Sequence, residues 1–177
     1  RTQKEIEILR EGGQMLARIL SVVAGAVQPG ITTKELDARA VSEIKRAGVR
    51  SSFKGYHVAG RKFPAVLCVS VNDEVVHGLP SKRALKEGDV VGLDFGIWHK
   101  GLCTDAAITV GVGNINAKAQ KLNDVTQEAL ARAIAVCRPG AKVGDIGHAV
   151  QSYAEANGFG VVRELVGHGV GHAVHED

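Results

Sequence analysis

Two aspartates stand alone in segments that are otherwise strongly apolar. Asp94 is the only charged residue of segment 90–97, and Asp105 is the only one of segment 102–110. Both segments resemble strands, and a hairpin with residues 99–100 as its loop would place the two carboxylates directly opposite each other. Like charges there destabilise a sheet, so we expect a shared proton, an arginine, or one or two divalent cations to neutralise them. The alternative is another register, with both aspartates on the surface.

A histidine, His77, lies close to a further predicted strand. It follows an apolar strand predicted over residues 65–69 and precedes a turn formed by residues 78–80. Functional side chains are often displayed on such loops at the ends of strands. A lone histidine is nevertheless more often structural or simply exposed, so both readings stay open at this position.

Three more histidines, His168, His172 and His175, fall within segment 167–177. The first two have the i, i+4 spacing of a helical zinc motif, but that motif needs a glutamate after the first histidine, and three glycines oppose a helix here. In extended geometry, His168 and His172 would share one face and His175 would lie on the other. A disordered tail or an expression remnant is the alternative, and the absence of a histidine run disfavours it.

Apolar residues recur at intervals of three and four in four segments, a period that predicts amphipathic helices. These helices are predicted over residues 6–27, 33–48, 116–137 and the segment ended by Gly158. Thr33 is the candidate N-cap of the second helix, and Gly48 is its C-terminal stop.

The second pair of helices repeats the first at a constant offset of 110 residues, without a gap. Corresponding landmarks are Pro29 and Pro139, Gly30 and Gly140, and Gly48 and Gly158. This repetition predicts a duplicated α/β unit, with a first half at about 1–113 and a second at about 114–177. Counterparts of the two aspartate strands would fall beyond residue 177, so the second half is expected to be incomplete.

Composition excludes several classes of protein. The chain is 45% hydrophobic and carries a net charge of +3, with its basic residues scattered among acidic ones. The sequence lacks the basic run with interleaved aromatic residues that is typical of nucleic-acid binding. No apolar run approaches the roughly 20 residues that span a membrane. The three cysteines lie far apart and are odd in number, which argues against a disulfide framework and favours the cytoplasm.

Four motifs in register together resemble the methionine aminopeptidases of the pita-bread fold, specifically the shorter type I. They are the segments 70–72 and 77–80, the pair Asp94 and Asp105 eleven residues apart, segment 167–171, and His175 with Glu176. The resemblance covers essentially the whole chain. It implies an α/β (α+β) pita-bread fold with pseudo-two-fold related halves, built as a single catalytic domain over residues 1–177.

The resemblance also implies roles for individual residues. Asp94, Asp105 and His168 would be metal ligands, with Asp105 bridging two divalent ions drawn from Co, Mn, Fe or Zn. His77 and His175 would be catalytic groups that contact the scissile amide and help to stabilise the tetrahedral intermediate.

The same resemblance implies a binding pocket for the methionine side chain. The substrate-binding positions are His77, Phe53, Tyr56, Phe63, Cys68 and Val174. From the sequence alone, a core role is an equally good reading for the apolar ones. Two features depart from the family pattern: residues 58–62 look like an insertion beside the pocket, and Val174 stands where the family often has an aromatic residue.

The family completes its metal site with two glutamates further downstream, which this sequence does not reach. Glu176 and Asp177 belong to the motif after His175 and do not replace them. We therefore expect the 177 residues to be a truncated form that binds one metal ion or none, with low or no activity.

The resemblance implies a metal-dependent hydrolase that removes N-terminal methionine from peptides and nascent chains, with transient association to the ribosome and no nucleic-acid or membrane partner. One alternative is a non-catalytic pita-bread module that binds peptides or proteins. Such a module has no need of the three metal-ligand candidates and two catalytic histidines together. Another alternative is an X-Pro aminopeptidase, whose usual additional N-terminal domain does not occur in this sequence.

Overall fold

The structure, a computed structural model, describes residues 1–58 and 60–176. The chain divides into two compact units, the first formed by Arg1–Ile115 with His168–Asp177 and the second by Asn116–Gly167. The first unit contains α1 (Gln3–Ala24), α2 (Thr33–Ala47), β1 (Arg50–Ser51), β2 (His57–Val58), β3 (Arg61–Lys62), β4 (Cys68–Val71), β5 (Val90–His99) and β6 (Leu102–Gly111). The second contains α3 (Ala117–Val136) and α4 (Val143–Ala156).

Strand β5 is the centre of a four-stranded antiparallel sheet. It pairs with β6 along its whole length, and its other edge is shared by β1 and β4. Strands β2 and β3 form a separate two-stranded hairpin. Within the described ranges, no helix is both long and apolar enough to cross a membrane.

Helix α1 begins and ends three residues earlier than predicted. Thr2 is its N-cap, because its hydroxyl accepts a hydrogen bond from the backbone N–H of Glu5 while the Glu5 carboxylate accepts one from the N–H of Thr2. Gly25 ends the helix, and the next two residues form a turn with Val23 and Ala24. The periodic apolar pattern alone does not mark these ends.

The N-cap prediction for α2 was wrong by one residue. Thr32 caps the helix in a reciprocal pair with Glu35, whose backbone N–H lies 3.2 Å from the Thr32 hydroxyl. Thr33 is instead a buried residue of the first turn, and its hydroxyl exchanges hydrogen bonds with the backbone of Ser81. Gly48 ends the helix with a φ of 68°, as predicted.

The register predicted for the β5–β6 hairpin was also wrong. The loop consists of Lys100 and Gly101, with φ angles of 48° and 86°, and not of residues 99–100. Two positive φ angles are typical of the type I′ turn that matches the strand twist, and glycine adopts this conformation without a steric penalty. Asp94 therefore pairs with Ala107, and Asp105 pairs with Gly96, so the two aspartates are diagonal neighbours and are not directly opposed.

The strand predicted over residues 65–69 begins later, at Cys68. The reason lies in Asp37 of α2, whose Oδ1 accepts hydrogen bonds from the backbone N–H groups of Val66 and Leu67 at 2.9 and 3.1 Å. A side chain thus takes the place of a neighbouring strand for these two residues. Pairing with β5 starts at Cys68, which lies opposite Asp94.

Side chains along β5 alternate between the apolar core and the opposite face of the sheet, which carries Asp94. The odd-numbered residues from Val91 to Ile97 are fully buried, and they belong to one apolar cluster with residues of α1 and α2 such as Leu16 and Leu36. Burial of each such side chain contributes about 1.5–3 kcal/mol. Successive side chains of a strand point to opposite faces, so Asp94 lies on the face away from the helices. The core thereby fixes the direction of the carboxylate.

The second unit repeats conformations of the first at the offset of 110. Gly30 and Gly140 have φ angles of 90° and 91°, and Gly48 and Gly158 have φ angles of 68° and 86°. Asn116 caps α3 through a hydrogen bond from the N–H of Ala119, and the cation of Arg132 lies over the ring of Tyr153 to join α3 and α4. The division into halves at about 1–113 and 114–177 stays a prediction.

Candidate metal centre and active site

Two carboxylates form the base of the site, on the face of the β5–β6 hairpin that the helices do not cover. Gly96 stands between them in the ladder, next to Asp94 on β5 and opposite Asp105 on β6. A Cβ atom at Gly96 would collide with the Ser52 hydroxyl and would lie 2.9 Å from the Thr104 carbonyl oxygen. Only glycine therefore fits at position 96, where the sheet packs closely against Ser52.

Burial raises the pKa of both carboxyls above the ordinary aspartate range. For Asp94 the negative charge of the nearby Asp105 acts in the same direction as burial. For Asp105 burial is opposed by the nearby His168 and by further favourable contacts. Oδ1 of Asp105 is buried and has no hydrogen-bond partner among the described residues. Two crowded acids with an unsatisfied oxygen are an arrangement that a divalent cation would neutralise.

A loop over residues 168–176 brings the histidines to this pair. Nε2 of His168 lies 4.0 Å from Oδ2 of Asp105, and the rings of His168 and His175 stack with centroids 4.3 Å apart. His172 points elsewhere and binds Glu5 of α1 at 2.8 Å. The prediction that His168 and His172 share a face was therefore wrong.

The reason is that this segment is a tight turn and not an extended strand. Gly169 and Glu176 exchange both backbone hydrogen bonds, at 2.7 and 2.9 Å. The Glu176 carboxylate accepts hydrogen bonds from the backbone N–H groups of His172 and Ala173, which closes the loop from inside. The backbone of Cys103 on β6 donates to the Gly171 carbonyl at 2.7 Å and fastens the loop to the sheet.

His175 is held by a second aromatic residue. The hydroxyl of Tyr56 lies 2.8 Å from Nδ1 of His175, and the two rings are 5.4 Å apart. This hydrogen bond leaves Nε2 of the imidazole as the ring nitrogen available to a ligand. Tyr56 therefore orients a histidine to which the family resemblance assigns a catalytic role.

One cleft of about 740 Å³ in the first unit collects every residue that the sequence analysis assigned to the site. The metal-ligand, catalytic and substrate-binding candidates that line it are Phe53, Tyr56, Phe63, Cys68, His77, Asp94, Asp105, His168, Val174 and His175. Their roles within the cleft stay predictions.

The inner wall of the cleft is apolar. The rings of Phe53 and Phe63 meet edge to face with centroids 6.3 Å apart, and Val174 and Cys68 are both buried. Burial, reinforced by the charges of Asp94 and Asp105, raises the pKa of the Cys68 thiol to about 12. Cys68 is thus a neutral thiol at neutral pH and contributes to the wall as a small apolar group.

His77 enters the cleft from an unusual backbone conformation. Its φ is 59°, in the left-handed region that non-glycine residues rarely adopt. The next residue, Gly78, lies so close to the backbone of Val69 that a Cβ atom there would collide with the Val69 carbonyl. The Gly78 carbonyl in turn accepts a hydrogen bond from the Val69 N–H at 2.9 Å. The loop is therefore pressed onto β4, which explains how it sustains this strain at His77.

Five lining residues were not assigned to the site from the sequence: His57, Arg61, Lys62, Pro64 and Leu79. Three of them belong to the β2–β3 hairpin, which covers most of the suspected insertion at 58–62; Ala59 lies outside the described residues. Gly60, with a φ of 78°, was the available signal, since a glycine between short polar segments is typical of a hairpin turn.

The donor set fits a divalent cation, although the side chains do not converge on one point. Within residues 1–58 and 60–176, no three His, Cys, Asp or Glu side chains are grouped closely enough to hold a metal ion as they stand. Ligand atoms bound to one ion at about 2.0–2.2 Å lie up to about 4.4 Å from each other. The 4.0 Å between His168 and Asp105 is within that limit, and Asp94, which lines the same cleft, would add a second carboxylate.

Comparison with known proteins decides the family. The family model described as metallopeptidase family M24 matches residues 7–177. This chain belongs to metallopeptidase family M24. The resemblance drawn from the four motifs is thereby confirmed, and membership implies a divalent metal cofactor.

Named relatives within M24 confirm the fold class. The methionine aminopeptidase of Clostridium perfringens is 44% identical over 177 residues, which cover 100% of this chain and 70% of that protein. A crystal structure of methionine aminopeptidase from Thermotoga maritima superposes with a TM-score of 0.94 at 41% identity, again over 100% of this chain and 70% of the other. The pita-bread fold of M24 is therefore the fold of this chain.

The X-Pro alternative receives less support from the same comparison. The X-Pro aminopeptidase structure from Thermotoga maritima superposes with a TM-score of 0.81, but the identity is 22% and the match covers 48% of that chain. A likeness at that level shows a shared M24 fold and nothing about the substrate.

Proposed function

We propose that this M24 protein is a methionine aminopeptidase that hydrolyses the first peptide bond of chains beginning with methionine. The observation that carries the proposal is the position of Asp94 and Asp105. The two acids lie partly buried at the base of one cleft, with His168 beside them and an apolar wall next to them. That combination suits an exopeptidase, since it offers a cation site for the reaction and an apolar pocket for one side chain.

The carboxylates and the imidazole are the residues that would hold the metal. Asp105 would hold the metal through a carboxylate whose Oδ1 is buried and without a hydrogen-bond partner among the described residues, while its Oδ2 faces His168. The ions, chosen from Co, Mn, Fe or Zn, would supply an activated water and a Lewis acid for the carbonyl. The free amine of the substrate is attracted to the same acidic base of the cleft.

His77 and His175 act on the scissile amide. Tyr56 holds Nδ1 of His175, so Nε2 faces the ligand and can donate a hydrogen bond to the oxygen of the tetrahedral intermediate. His77 approaches from the strained loop after β4, and its fixed backbone limits the reorganisation that binding requires.

The apolar wall selects the side chain. Phe53, Phe63, Cys68 and Val174 surround a space beside the carboxylates that accepts an unbranched, apolar side chain such as that of methionine. The small Val174 leaves more room than an aromatic residue would. A charged first residue would be desolvated there without a partner, which would cost several kcal/mol.

The biological setting follows from the substrate. We place the protein in the cytoplasm, where nascent chains with N-terminal methionine are produced, with transient association at the ribosome. The competing proposal, a binding module without catalysis, would retain the cleft but would not require the buried acids.

The decisive experiment is release of methionine from Met-Ala-Ser by the protein as its gene encodes it, after removal of metal and addition of Co, Mn, Fe or Zn in turn. We expect activity with at least one metal and loss of activity in Asp105→Asn. Activity on Ala-Pro-Ser but not on Met-Ala-Ser would favour the X-Pro reading. No release with any metal, together with binding of peptides, would favour the module.

A further inference from the structure

The β2–β3 hairpin forms part of the cleft wall and differs from the rest in charge. His57 pairs with Lys62, and Val58 pairs with Arg61. Hydrogen bonds from Gly55 to Phe63 and from Phe63 to Tyr56, both 2.8 Å, extend the ladder toward the cleft. Arg61 and Lys62 are exposed, whereas Asp105 at the base has only 16% of its side chain exposed. The hairpin therefore contributes two exposed cations to the solvent-facing rim of the cleft.

The two cations of this hairpin have no neutralising acid. Among the residues that the structure describes, no carboxylate lies within 4.0 Å of Arg61 or Lys62, and the acids that line the cleft are Asp94 and Asp105 at its base. The cleft is therefore acidic at its base and basic at its open side. A ligand that is positive at one end and negative further along matches this arrangement.

A peptide positioned for hydrolysis of its first bond matches this arrangement in one orientation only, with its positive amino end at the acidic base. Its free amine belongs with the acids at the base, so the residues after the scissile bond leave toward the open side. An extended chain advances about 3.3 Å per residue, so the second and third residues after methionine lie roughly 7–10 Å further along the chain. Arg61 and Lys62 line the same cleft as the acids, and their long side chains are the cations that could meet substrate side chains at that distance.

We propose that the β2–β3 hairpin selects substrates that carry an acidic side chain at the second or third residue after the methionine. The inference rests on the proposed aminopeptidase function and adds a substrate class to it. Arg61 is the stronger determinant, because alternation along the hairpin puts it on the same face as Tyr56, whose hydroxyl reaches His175 inside the cleft. Its planar guanidinium also pairs with a carboxylate through two hydrogen bonds, which an ammonium cannot do.

The test compares kcat/KM for Met-Ala-Asp-Asp-Ala, Met-Ala-Lys-Lys-Ala and the neutral Met-Ala-Ser-Ser-Ala. For the unmodified protein we expect the acidic peptide to exceed the basic one by about 3- to 10-fold, the size of effect that two exposed charge pairs give. The double variant R61A/K62A should bring this ratio below about 2. Charge reversal in R61E/K62E should invert the ratio, which a loss of folding cannot do.

The matched control is R39A/K45A, which removes the same number of charges from the exposed face of α2, away from the cleft. It should retain the acidic preference in full. If the acidic-to-basic ratio of kcat/KM fell equally in this control, the preference would depend on net charge alone, and the proposal would be overturned. An acidic-to-basic ratio near 1 in the unmodified protein, or one unchanged in R61A/K62A, would overturn it as well.

Cleavage of the neutral peptide tests the proposed aminopeptidase function separately from the preference for acidic peptides. Should Met-Ala-Ser-Ser-Ala remain uncleaved with every metal, fluorescence anisotropy with labelled acidic and basic peptides still measures the preference, without turnover. The same 3- to 10-fold ratio in affinity supports selection by the hairpin. Equal affinities for both peptides, with loss of binding to a ribosomal RNA fragment in R61A/K62A, would assign the cations to RNA instead.

Discussion

The first unit contains two hairpins that serve the same cleft but differ in how firmly they are held. The β5–β6 hairpin pairs over ten residues of each strand and buries one face against α1 and α2. The β2–β3 hairpin has two residues in each strand, and Arg61 and Lys62 are exposed. A two-stranded hairpin without a packed face is marginally stable. The acids proposed to hold the metal thus lie on the more firmly packed hairpin, while the cations proposed to select the substrate lie on the weaker one.

The largest difference between the two hairpins is expected when the charge of Asp105 at the base of the cleft is removed. Asp105→Asn should lower kcat by at least about 100-fold, because the amide oxygen is a poor substitute for a bridging carboxylate. R61A/K62A should change only the choice among peptides. Asp124→Asn, an exposed change on α3, is the matched control and should leave kcat as it is. Retention of full activity in Asp105→Asn would remove the β5–β6 hairpin from the chemistry.

A second difference concerns the aromatic residues of the two hairpins. Phe95 on β5 is fully buried in the core, so Phe95→Ala should lower the free energy of unfolding by about 3–5 kcal/mol. Phe63, beside β3, is only partly buried and contacts chiefly Phe53, so Phe63→Ala should cost less than about 2 kcal/mol. Urea denaturation followed by circular dichroism measures both. Equal losses would mean that the β2–β3 hairpin belongs to the same cooperative core.

The turn glycines give a third, smaller comparison. Gly101 and Gly60 have φ angles of 86° and 78°, and neither has an atom within 4 Å of a built Cβ, so alanine tests conformation alone. Gly101→Ala should cost about 1 kcal/mol of global stability. Gly60→Ala should leave the denaturation midpoint within error and change the peptide ratio instead, because its hairpin can open without global unfolding. A midpoint shift of similar size in both variants would contradict this.

The smallest predicted effect is the pH dependence of the metal-free protein. Folding raises the pKa of Asp94 and Asp105, chiefly through burial, so their contribution to stability is fully present below the ordinary aspartate pKa of about 3.9. It is lost as pH rises through the raised values. The lowered pKa values of other carboxyls, such as those of Glu5 and Glu35, act in the opposite direction, so the comparison is made with Asp105→Asn, which leaves them unchanged. Thermal denaturation in a metal chelator should show the unmodified protein losing stability relative to Asp105→Asn as pH rises from acid toward neutral. A constant difference between the two proteins would show that folding does not raise the pKa of Asp105.

Much of the fold could be predicted because the signals were local. The apolar periods located all four helices, and the lone acids in apolar strands pointed to the residues that form the base of the cleft. The failures came from side chains that bond to distant backbone. Asp37 delays the start of β4 through hydrogen bonds to residues 29 and 30 positions away, and no local pattern announces that contact.

Conformations that depend on left-handed residues were equally hard to predict. The hairpin loop shifted by one residue because Lys100 adopts a positive φ, which the sequence does not require of a lysine. A shift of one loop position moved the partner of Asp94 from Asp105 to Ala107. The carboxylates stayed on one face because a displacement of two residues in the partner preserves the alternation. The interpretation of the site thus survived an error in its register.

The contact between Glu5 and His172 joins residues 167 positions apart and connects α1 to the loop that carries His168 and His175. Loops of this length cost closure entropy that no earlier local contact offsets. We therefore expect the first turn of α1 and the histidine loop to meet late in folding, after the strands that carry the two acids have paired. Metal added to the unfolded chain should then not speed the slow step of refolding.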